Sequence, residues 1–337
     1  MSAFDILTTF RDRFEWNNLP YKKRGHLYLP DSEVISLHSS WSDMHFHFWD
    51  RLKYILYLNF YDVRGGRTTH VQSSDATVEY TLMLVGEAKN RLGGFKQNNI
   101  RPSFFNISYL SSIDSVTEFM AGQFYCTLDI HLKEIFILEL LREFPEIMEP
   151  FVNSIERKQS RFLYPSHLPI TLFMDDIANS IVNALRFGGS LSIVDKNVET
   201  MIAHALTYTN TENHKNLDIY RRQLMNEIYF KLMEDPFNTP EIKKLCKVVG
   251  MNATTLRQIF RKTFNMTIHQ CWIKLKLDDA LYMIAKDRNK LIVEVSKEVG
   301  FSCLANFSKA FKIEHKIAPS HLQKYPDFFD LFANENF

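Results

Sequence analysis

One pattern of apolar, small and polar residues occurs twice within residues 239–325, with the spacing of a helix, a tight turn and a second helix. Its two glycines, Gly250 and Gly300, lie fifty residues apart, and from Leu256 and Phe307 onward the offset is fifty-one. In a helix-turn-helix unit, the second helix presents side chains to base edges and phosphates in the DNA major groove. The pattern therefore predicts two DNA-reading units, with one extra residue after the second turn. The first copy consists of Ile242, Leu245, Cys246, Val249, Gly250, Asn252, Leu256, Ile259 and Phe260, and the second of Ile292, Val295, Ser296, Val299, Gly300, Ser302, Phe307, Ala310 and Phe311.

Each turn needs a small residue, an N-cap for the following helix and apolar residues that clamp the two helices together. Gly250-Met251-Asn252 and Gly300-Phe301-Ser302 meet these needs, with Asn252 and Ser302 as the predicted N-caps. Apolar periodicity between the two units predicts a connecting helix over residues 268–285. Together these elements predict an all-α domain with two helix-turn-helix units at residues 218–325.

This segment resembles the DNA-binding domain of the AraC/XylS family of bacterial transcription regulators. The family signature GFSxxxxFxxxF, with a Pro eight residues after its last Phe, is present as Gly300, Phe301, Ser302, Phe307, Phe311 and Pro319. The resemblance covers about the last third of the chain. At several positions where the family usually has Arg or Gly, the chain has Gln258, Asn265, Lys276, Lys309, Lys316 and Gln323. None of these departures removes a predicted core position, so they bear on which DNA sequence is read.

The resemblance also implies which side chains contact DNA. By position these are Thr254, Arg257, Gln258 and Arg261 on the first recognition helix, and Asn306, Lys309 and Lys312 on or beside the second. Arg257 suits guanine, and Gln258 and Asn306 suit adenine. Contacts to phosphate, which position a protein without specifying sequence, are predicted for Lys262, Lys274 and Lys276. For any one of these basic residues, the alternative is a solvated surface position.

The basic charge of the chain is concentrated on the same segment. Residues 218–325 contain 19 Lys and Arg against 11 Asp and Glu, a net charge of +8. Residues 1–217 contain 21 Lys and Arg against 25 Asp and Glu. The predicted acidic tail, residues 326–337, contains no Lys or Arg and three Asp and Glu. Such a cluster is expected of a domain that binds a polyanion. The chain has neither a signal-peptide core nor an apolar stretch approaching about 18 residues, which predicts a cytoplasmic protein with no membrane partner.

At 337 residues the chain is long enough for a second domain, and residues 1–165 are predicted to form a β-rich sensing domain. Runs of β-branched and aromatic residues between turn-forming clusters predict strands at 26–38, 53–63, 77–86, 103–109 and 123–130. The fold class is thus α+β, with an N-terminal barrel or sandwich that resembles the cupin-like sensing domains common in the family.

Helical periodicity follows these strands. It predicts a short helix that stops at Pro145, and two longer helices at 173–187 and 194–208. The two longer helices, within an element at 166–208, resemble the dimerisation helices of the family. The alternative is an intramolecular pair packed on the β-rich domain. Residues 209–217, which are almost wholly polar, are the predicted linker.

Other chemistry has weak support. The alternation of His45 and His47 would place both on one face if this segment is a strand, where they could belong to a metal site. No further ligands are identifiable, and half-buried strand histidines are the preferred interpretation. Trp41, Phe46, Phe48 and Trp49 suit either a ligand pocket or core packing. The chain contains no phosphate-binding Gly-rich loop, HExxH or GxSxG sequence, and its four cysteines lack metal-ligand spacing. We therefore expect neither an enzyme nor a cofactor.

The sequence thus predicts a sequence-specific transcription regulator that binds double-stranded DNA. By resemblance, an activator is favoured over a repressor, RNA polymerase is an expected partner, and the protein is expected to be a homodimer. A small-molecule effector is expected to act at the N-terminal domain, although no residue identifies it. The alternative is control of the same DNA reader by a protein partner.

Overall fold

The computed structural model describes residues 5–8, 15–17, 29, 31–93, 95, 98–208, 217–234, 236–287 and 289–324. The predicted linker, apart from its last residue, and the predicted acidic tail lie outside these residues. The chain forms two compact units. Most described residues before 220 belong to the first unit, and those from Tyr220 onward, together with Leu185–Ser190, belong to the second.

The first unit contains two antiparallel sheets, which face each other across a cavity. Its strands are β1 (Asp5–Thr8), β2 (Glu15–Asn17), β3 (Glu33–His38), β4 (Ser42–Asp50), β5 (Tyr54–Val63), β6 (Arg67–Ser73), β7 (Thr77–Val85), β8 (Ala88–Leu92), β9 (Asn98–Ile100), β10 (Phe104–Leu110), β11 (Ile113–Phe119), β12 (Gln123–Leu132), β13 (Arg161–Phe162) and β14 (Leu168–Pro169). The larger sheet has the order β13-β10-β7-β12-β5-β4-β3-β2, with β14 also paired to β10, and the smaller has the order β1-β6-β11-β8-β9. The described strands do not close into a barrel, so the sandwich alternative is the correct one.

The five predicted strands are confirmed as β3, β5, β7, β10 and β12, although the first part of the 26–38 prediction lies largely outside the described residues. Strands β4, β6, β8 and β11 were not predicted. The cavity faces of two of these strands mix polar and apolar residues: β8 (AKNRL) lines the cavity with Ala88, Asn90 and Leu92, and β6 (RTTHVQS) lines it with Thr69 and Val71. The apolar signal that identifies a strand in sequence is therefore weak in both.

Four helices follow these strands: α1 (Glu134–Glu143), α2 (Pro145–Glu156), α3 (Leu172–Phe187) and α4 (Leu191–Leu206). All of their residues belong to the first unit except the last three of α3. The predicted stop at Pro145 is correct, but a further helix begins there, because proline is well tolerated at the first helical position. The apolar face of α4 is buried within the monomer. Asp195 of α4 accepts hydrogen bonds from Arg51 Nη2 at 2.7 Å and Tyr54 Oη at 2.6 Å. These contacts match the alternative of an intramolecular pair packed on the sheet, and the dimer role of these helices stays a prediction.

The second unit is helical. Its helices are α5 (Leu217–Glu234), α6 (Ile242–Val249), α7 (Ala253–Phe264), α8 (Ile268–Lys286), α9 (Ile292–Glu298), α10 (Leu304–His315) and α11 (Pro319–Lys324). Helices α6 and α7 form the first predicted helix-turn-helix, α9 and α10 form the second, and α8 is the predicted connecting helix. Apolar side chains of α8 to α11, including Leu277, Val295, Phe307 and Phe311, share one buried cluster. No helix among the described residues is both long and apolar enough to cross a bilayer.

Candidate ligand cavity and nucleic-acid interface

The cavity between the two sheets has a volume of about 310 Å³. On β12, Thr127, Asp129 and His131 point into it, whereas Leu128 and Ile130 are fully buried on the opposite face of the sheet. The polar face of this strand is therefore its cavity face. Sequence analysis missed these residues, although the alternation of polar and apolar residues along β12 was the signal that could have identified them.

Aromatic side chains from β4 and β5 form part of the cavity wall. Phe46 and Phe48 line it, as the ligand-pocket alternative required, together with Tyr57 and Tyr61. Trp41 and Trp49 are not among its lining residues and are buried in the core. Of the four aromatic residues considered for a ligand pocket, the two phenylalanines line the cavity and the two tryptophans pack in the core.

His45 and His47 point away from this cavity, because they alternate with Phe46 and Phe48 along β4. His45 Nδ1 lies 2.8 Å from Ser36 Oγ, and His47 Nδ1 lies 3.0 Å from Ser32 Oγ. Burial lowers the pKa of His45 to about 4 and that of His47 well below its usual range. Within the described residues, no group of three or more His, Cys, Asp and Glu side chains is placed to hold a metal ion. The two histidines are packed, hydrogen-bonded residues of a strand.

The first turn of the second unit has the predicted chemistry. Gly250 ends α6 in the left-handed conformation, with φ of 63°, and its N–H donates to the carbonyl oxygen of Cys246. The side chain of Asn252 accepts a hydrogen bond from the backbone N–H of Thr255 at 2.9 Å, which confirms Asn252 as the N-cap of α7. The direction of the first recognition helix is therefore fixed by local contacts.

The second turn differs by one residue. Gly300 has φ of 79°, but the N-cap of α10 is Cys303, so the prediction of Ser302 was wrong. The extra residue seen in the sequence offset lies within this turn and moves the start of α10 one position along. Cys303 makes no side-chain capping hydrogen bond. Packing of Phe301 against Phe307, with ring centroids 5.4 Å apart, helps hold the turn against α10.

The two turn glycines provide a matched test of backbone strain and close approach. A Cβ on Gly250 would have no atom within 4 Å, whereas a Cβ on Gly300 would lie 3.0 Å from Lys276 Nζ and 3.2 Å from the carbonyl oxygen of Phe237. We expect Gly250→Ala to lower the free energy of unfolding by about 1 kcal/mol, from the left-handed backbone alone. Gly300→Ala should lower it by about 2 kcal/mol, because crowding adds to the strain. Urea unfolding measures both changes, and equal losses would contradict the close approach.

The predicted DNA-contacting residues of α7 lie on one exposed face. Thr254, Arg257, Gln258 and Arg261 are all exposed, and their spacing of three and four residues places them on adjacent turns. On α10, Asn306, Lys309 and Lys312 are likewise exposed and share one face. Phe260 and Phe307 lie on the opposite faces of the two helices and are fully buried. Each recognition helix thus presents hydrogen-bonding side chains to solvent while its apolar face holds it in the unit.

Comparison with known proteins identifies this unit. Residues 245–325 match the family model described as "Helix-turn-helix domain". They form an AraC-type helix-turn-helix domain. An uncharacterized HTH-type transcriptional regulator of Haemophilus influenzae is 22% identical over 163 residues, which is 48% of this chain and 52% of that protein. The Msm operon regulatory protein of Streptococcus mutans is 30% identical over 83 residues, which is 25% of this chain and 30% of that protein. The matched parts therefore span about half the length of the first curated relative and under a third of the second.

Two solved structures are also similar. ToxT from Vibrio cholerae is 12% identical, with 77% of this chain and 98% of that chain covered and a TM-score of 0.28. The AraC-like transcriptional activator CuxR is 11% identical, with 65% and 74% covered and a TM-score of 0.33. These scores lie below the level that indicates a shared global arrangement. The assignment of the AraC-type domain therefore rests on the sequence match and on the two helix-turn-helix units.

Two of the three lysines predicted to touch phosphate are engaged inside the AraC-type domain. Lys276 is only 2% exposed, and its Nζ lies 3.9 Å from the centre of the Trp272 ring. Lys274 forms ion pairs with Glu314 and with Asp278, the latter at 3.8 Å, and these charges raise its pKa despite burial. Burial contradicts the phosphate prediction for Lys276, whereas Lys274 is partly exposed and paired with two carboxylates, so its phosphate role stays a prediction. Lys262 is exposed, and its role stays a prediction.

The AraC-type domain also has non-glycine residues where each recognition helix ends in the left-handed conformation. These are Asn265, with φ of 54°, and Lys316, with φ of 60°. Asparagine adopts this conformation far more readily than lysine. We expect Lys316→Gly to raise the free energy of unfolding by about 1 kcal/mol and Asn265→Gly by less. Thermal unfolding of the two variants tests this order, and a larger gain from Asn265→Gly would contradict it.

Proposed function

We propose that this protein is a transcription regulator whose AraC-type domain binds specific double-stranded DNA through α7 and α10. The observation that carries the proposal is the pair of exposed faces on these helices. One face contains Arg257 and Gln258 and the other Asn306 and Lys309, and these residue types form hydrogen bonds with base edges in the major groove. The net charge of +8 on residues 218–325 supports binding to a polyanion.

A footprint on selected DNA tests this proposal. Fragments that bind the full chain can be enriched from a random duplex library and then probed with hydroxyl radicals. We expect protection of two successive major grooves on one face of the duplex, about 34 Å apart, because each helix-turn-helix unit occupies one groove. Raising the salt concentration should weaken binding steeply through counterion release. Protection of a single groove per protomer would contradict the two-unit interface. So would an affinity for DNA that does not change with salt concentration.

We also propose that a small molecule bound in the 310 Å³ cavity of the first unit controls DNA binding. Control requires that the molecule binds the DNA-competent and incompetent states with different affinity. The cavity favours a small molecule over the alternative of a protein partner, because its polar groups face inward between the two sheets. We expect a small molecule that binds the cavity to raise the melting temperature of the protein and to change its affinity for DNA.

The remaining proposals rest on family resemblance. The protein is proposed to be a cytoplasmic homodimer that activates transcription through RNA polymerase, with repression as the alternative. Sedimentation of the full chain with and without DNA tests the dimer, and a sedimenting monomer in both states would refute it. Transcription in vitro from a promoter that contains the selected site distinguishes activation from repression by its sign.

A further inference from the structure

The polar part of the cavity wall is formed by three neighbouring strands of the larger sheet. Asn59 of β5 donates from Nδ2 to Thr127 Oγ1 at 3.1 Å and to Asp129 Oδ2 at 2.7 Å. Thr127 Oγ1 donates to the same carboxylate oxygen at 2.7 Å. On β7, Glu79 accepts a hydrogen bond of 3.4 Å from Ser108. These contacts hold two carboxyl groups in fixed positions on one wall.

This wall has hydrogen-bond acceptors that the described residues do not satisfy. Asn59 is only 5% exposed and lines the cavity, and its Oδ1 atom has no hydrogen-bond partner among the described residues. Asp129 Oδ1 is likewise buried and has no partner within hydrogen-bond geometry among these residues, although the Thr81 side chain is close enough to favour the ionised carboxyl. A buried acceptor without a donor costs about 1 to 3 kcal/mol, so such groups at a cavity mark a place where a ligand supplies the donor.

The charges around the cavity are of one sign. Burial raises the pKa of Asp129 to about 6, and burial together with the charge of Asp129 raises the pKa of Glu79 to about 7. No Lys or Arg is found among its lining residues in the described part of the chain. Burial lowers the pKa of His131 to about 4 and also lowers that of His167. Near pH 7 Asp129 is therefore mostly ionised and Glu79 partly ionised, and His131, whose Nε2 lies 3.6 Å from Glu79 Oε2, is neutral.

Aromatic side chains provide the other part of the wall. Phe46 and Phe48 of β4 line the cavity, and so do Tyr57 and Tyr61 of β5. Burial raises the pKa of both tyrosines, so these rings stay neutral. Neutral aromatic faces pack against an apolar body and attract a cation within about 6 Å of the ring centre.

We propose that the cavity binds a small organic ammonium ion with an aromatic or other apolar body, whose N–H groups donate to Asp129, Glu79 and the amide oxygen of Asn59. This inference rests on the proposed effector role of the cavity and specifies its ligand chemistry. The ammonium group supplies the donors that Asn59 and Asp129 need and a positive charge opposite the two carboxyl groups. A carboxylate ligand would instead place a third negative charge in the same wall, where the low dielectric strengthens repulsion.

Three probes of equal length separate these chemistries: 4-phenylbutylamine, 4-phenylbutanol and 4-phenylbutyrate. Calorimetric titration of the full chain without DNA at pH 7.5 should give the highest affinity for the amine, at least about tenfold above that of the carboxylate. Failure of the amine to bind at millimolar concentration would overturn the proposal. So would equal affinity for all three probes, or preference for the carboxylate or the neutral alcohol.

Substitutions in the wall locate the site. Asp129→Asn and Glu79→Gln should each lower the affinity for the amine about tenfold while changing that for the alcohol less than about threefold. The matched control is Glu87→Gln, because Glu87 is an exposed carboxylate of the same unit that does not line the cavity. It should leave all three affinities unchanged. Equal losses for amine and alcohol in the wall variants would indicate a structural role only and would overturn the assignment.

The affinity for the amine should rise with pH. The ammonium ion favours the ionised carboxyl groups, so binding is strongest above their pKa values in the free protein and is lost as the pH falls through about 7 and 6. From pH 7.5 to pH 5 we expect the affinity for 4-phenylbutylamine to fall by at least about tenfold, and Asp129→Asn should reduce this dependence. An affinity that is independent of pH would contradict the role of these groups.

The unliganded protein provides a separate check on this wall. The folded-state pKa of Asp129 lies above its unfolded value, so ionisation of this group opposes folding as the pH rises toward and through about 6. Asp129→Asn, which keeps the shape of the side chain, should therefore raise the melting temperature of the first unit more at pH 8 than at pH 5. A variant that is less stable than the wild type at both pH values would show that the carboxylate is satisfied in the free protein.

Failure of this proposal can be distinguished from failure of the proposed function. If the amine binds but does not change the affinity for selected DNA, the ligand chemistry stands and effector control fails. If the carboxylate binds better and changes the affinity for DNA, effector control stands and the ligand chemistry is overturned. If the protein binds selected DNA equally well without the amine and without the carboxylate, the proposed role of α7 and α10 in DNA binding is unaffected.

Discussion

Replacing Phe307 with alanine is expected to lower the free energy of unfolding of the AraC-type domain by about 3 to 5 kcal/mol. The side chain is fully buried. Its ring lies 5.4 Å from that of Phe301 and 5.6 Å from that of Phe311, so it joins the second turn to the second recognition helix. Removal of the ring leaves a cavity at the point where α10 is held against the connecting helix.

Ile313→Ala is the matched control for this prediction, because Ile313 lies on the same helix and is 61% exposed. It should change the free energy of unfolding by less than about 0.5 kcal/mol. Urea unfolding gives the size of each change, and hydrogen exchange of α7 to α10 shows which unit has loosened. If both variants lost the same stability, the buried cluster would not be the core of this domain.

Simultaneous replacement of Arg257 and Lys309 by alanine is expected to weaken binding to selected DNA by about 2 to 6 kcal/mol. Each residue should contribute about 1 to 3 kcal/mol, and the effects should add because the residues lie on different recognition helices and share no partner. Both side chains are exposed, so their loss should leave stability almost unchanged. Mobility-shift titrations of both single variants and the double variant at fixed salt measure these terms.

The control for this second prediction removes the same type of charge elsewhere. Lys196 is exposed on α4 of the first unit, and Lys196→Ala should leave DNA affinity unchanged. Arg257→Ala should also relax sequence preference at one base pair if the side chain reads a base. A uniform loss on all sequences would reassign Arg257 to phosphate contact, and unchanged affinity would remove it from the interface.

The sequence predicted most of the AraC-type domain because helix starts, helix stops and turns depend on residues close together in the chain. Gly250 and Asn252 act within a few residues of each other, and their positions were predicted correctly. The predicted N-cap Ser302 is one residue before the observed N-cap, Cys303, although the sequence offset had already indicated an extra residue there. A one-residue insertion in a short turn can be placed at either of two neighbouring positions, and tertiary packing of Phe301 on Phe307 determines the outcome.

The direction of single long side chains was not predictable in the same way. Lys276 and Lys309 are both lysines within helices, yet Lys276 lies over Trp272 and Lys309 is exposed. Helical periodicity places a residue on a face, but the neighbouring helix decides whether that face meets solvent. The phosphate-contact prediction failed at Lys276 for this reason.

The sequence by itself determined the two helix-turn-helix units, the concentration of basic charge on them and the strand-rich character of the first unit, because these follow from local periodicity and composition. Only the tertiary structure placed Asn59 beside Asp129, seventy residues further along the chain. That contact depends on the antiparallel register of β5 and β12, and a shift of one residue would turn each side chain to the opposite face of the sheet. The cavity, its acidic wall and the ligand chemistry proposed for it therefore became visible only from the folded chain.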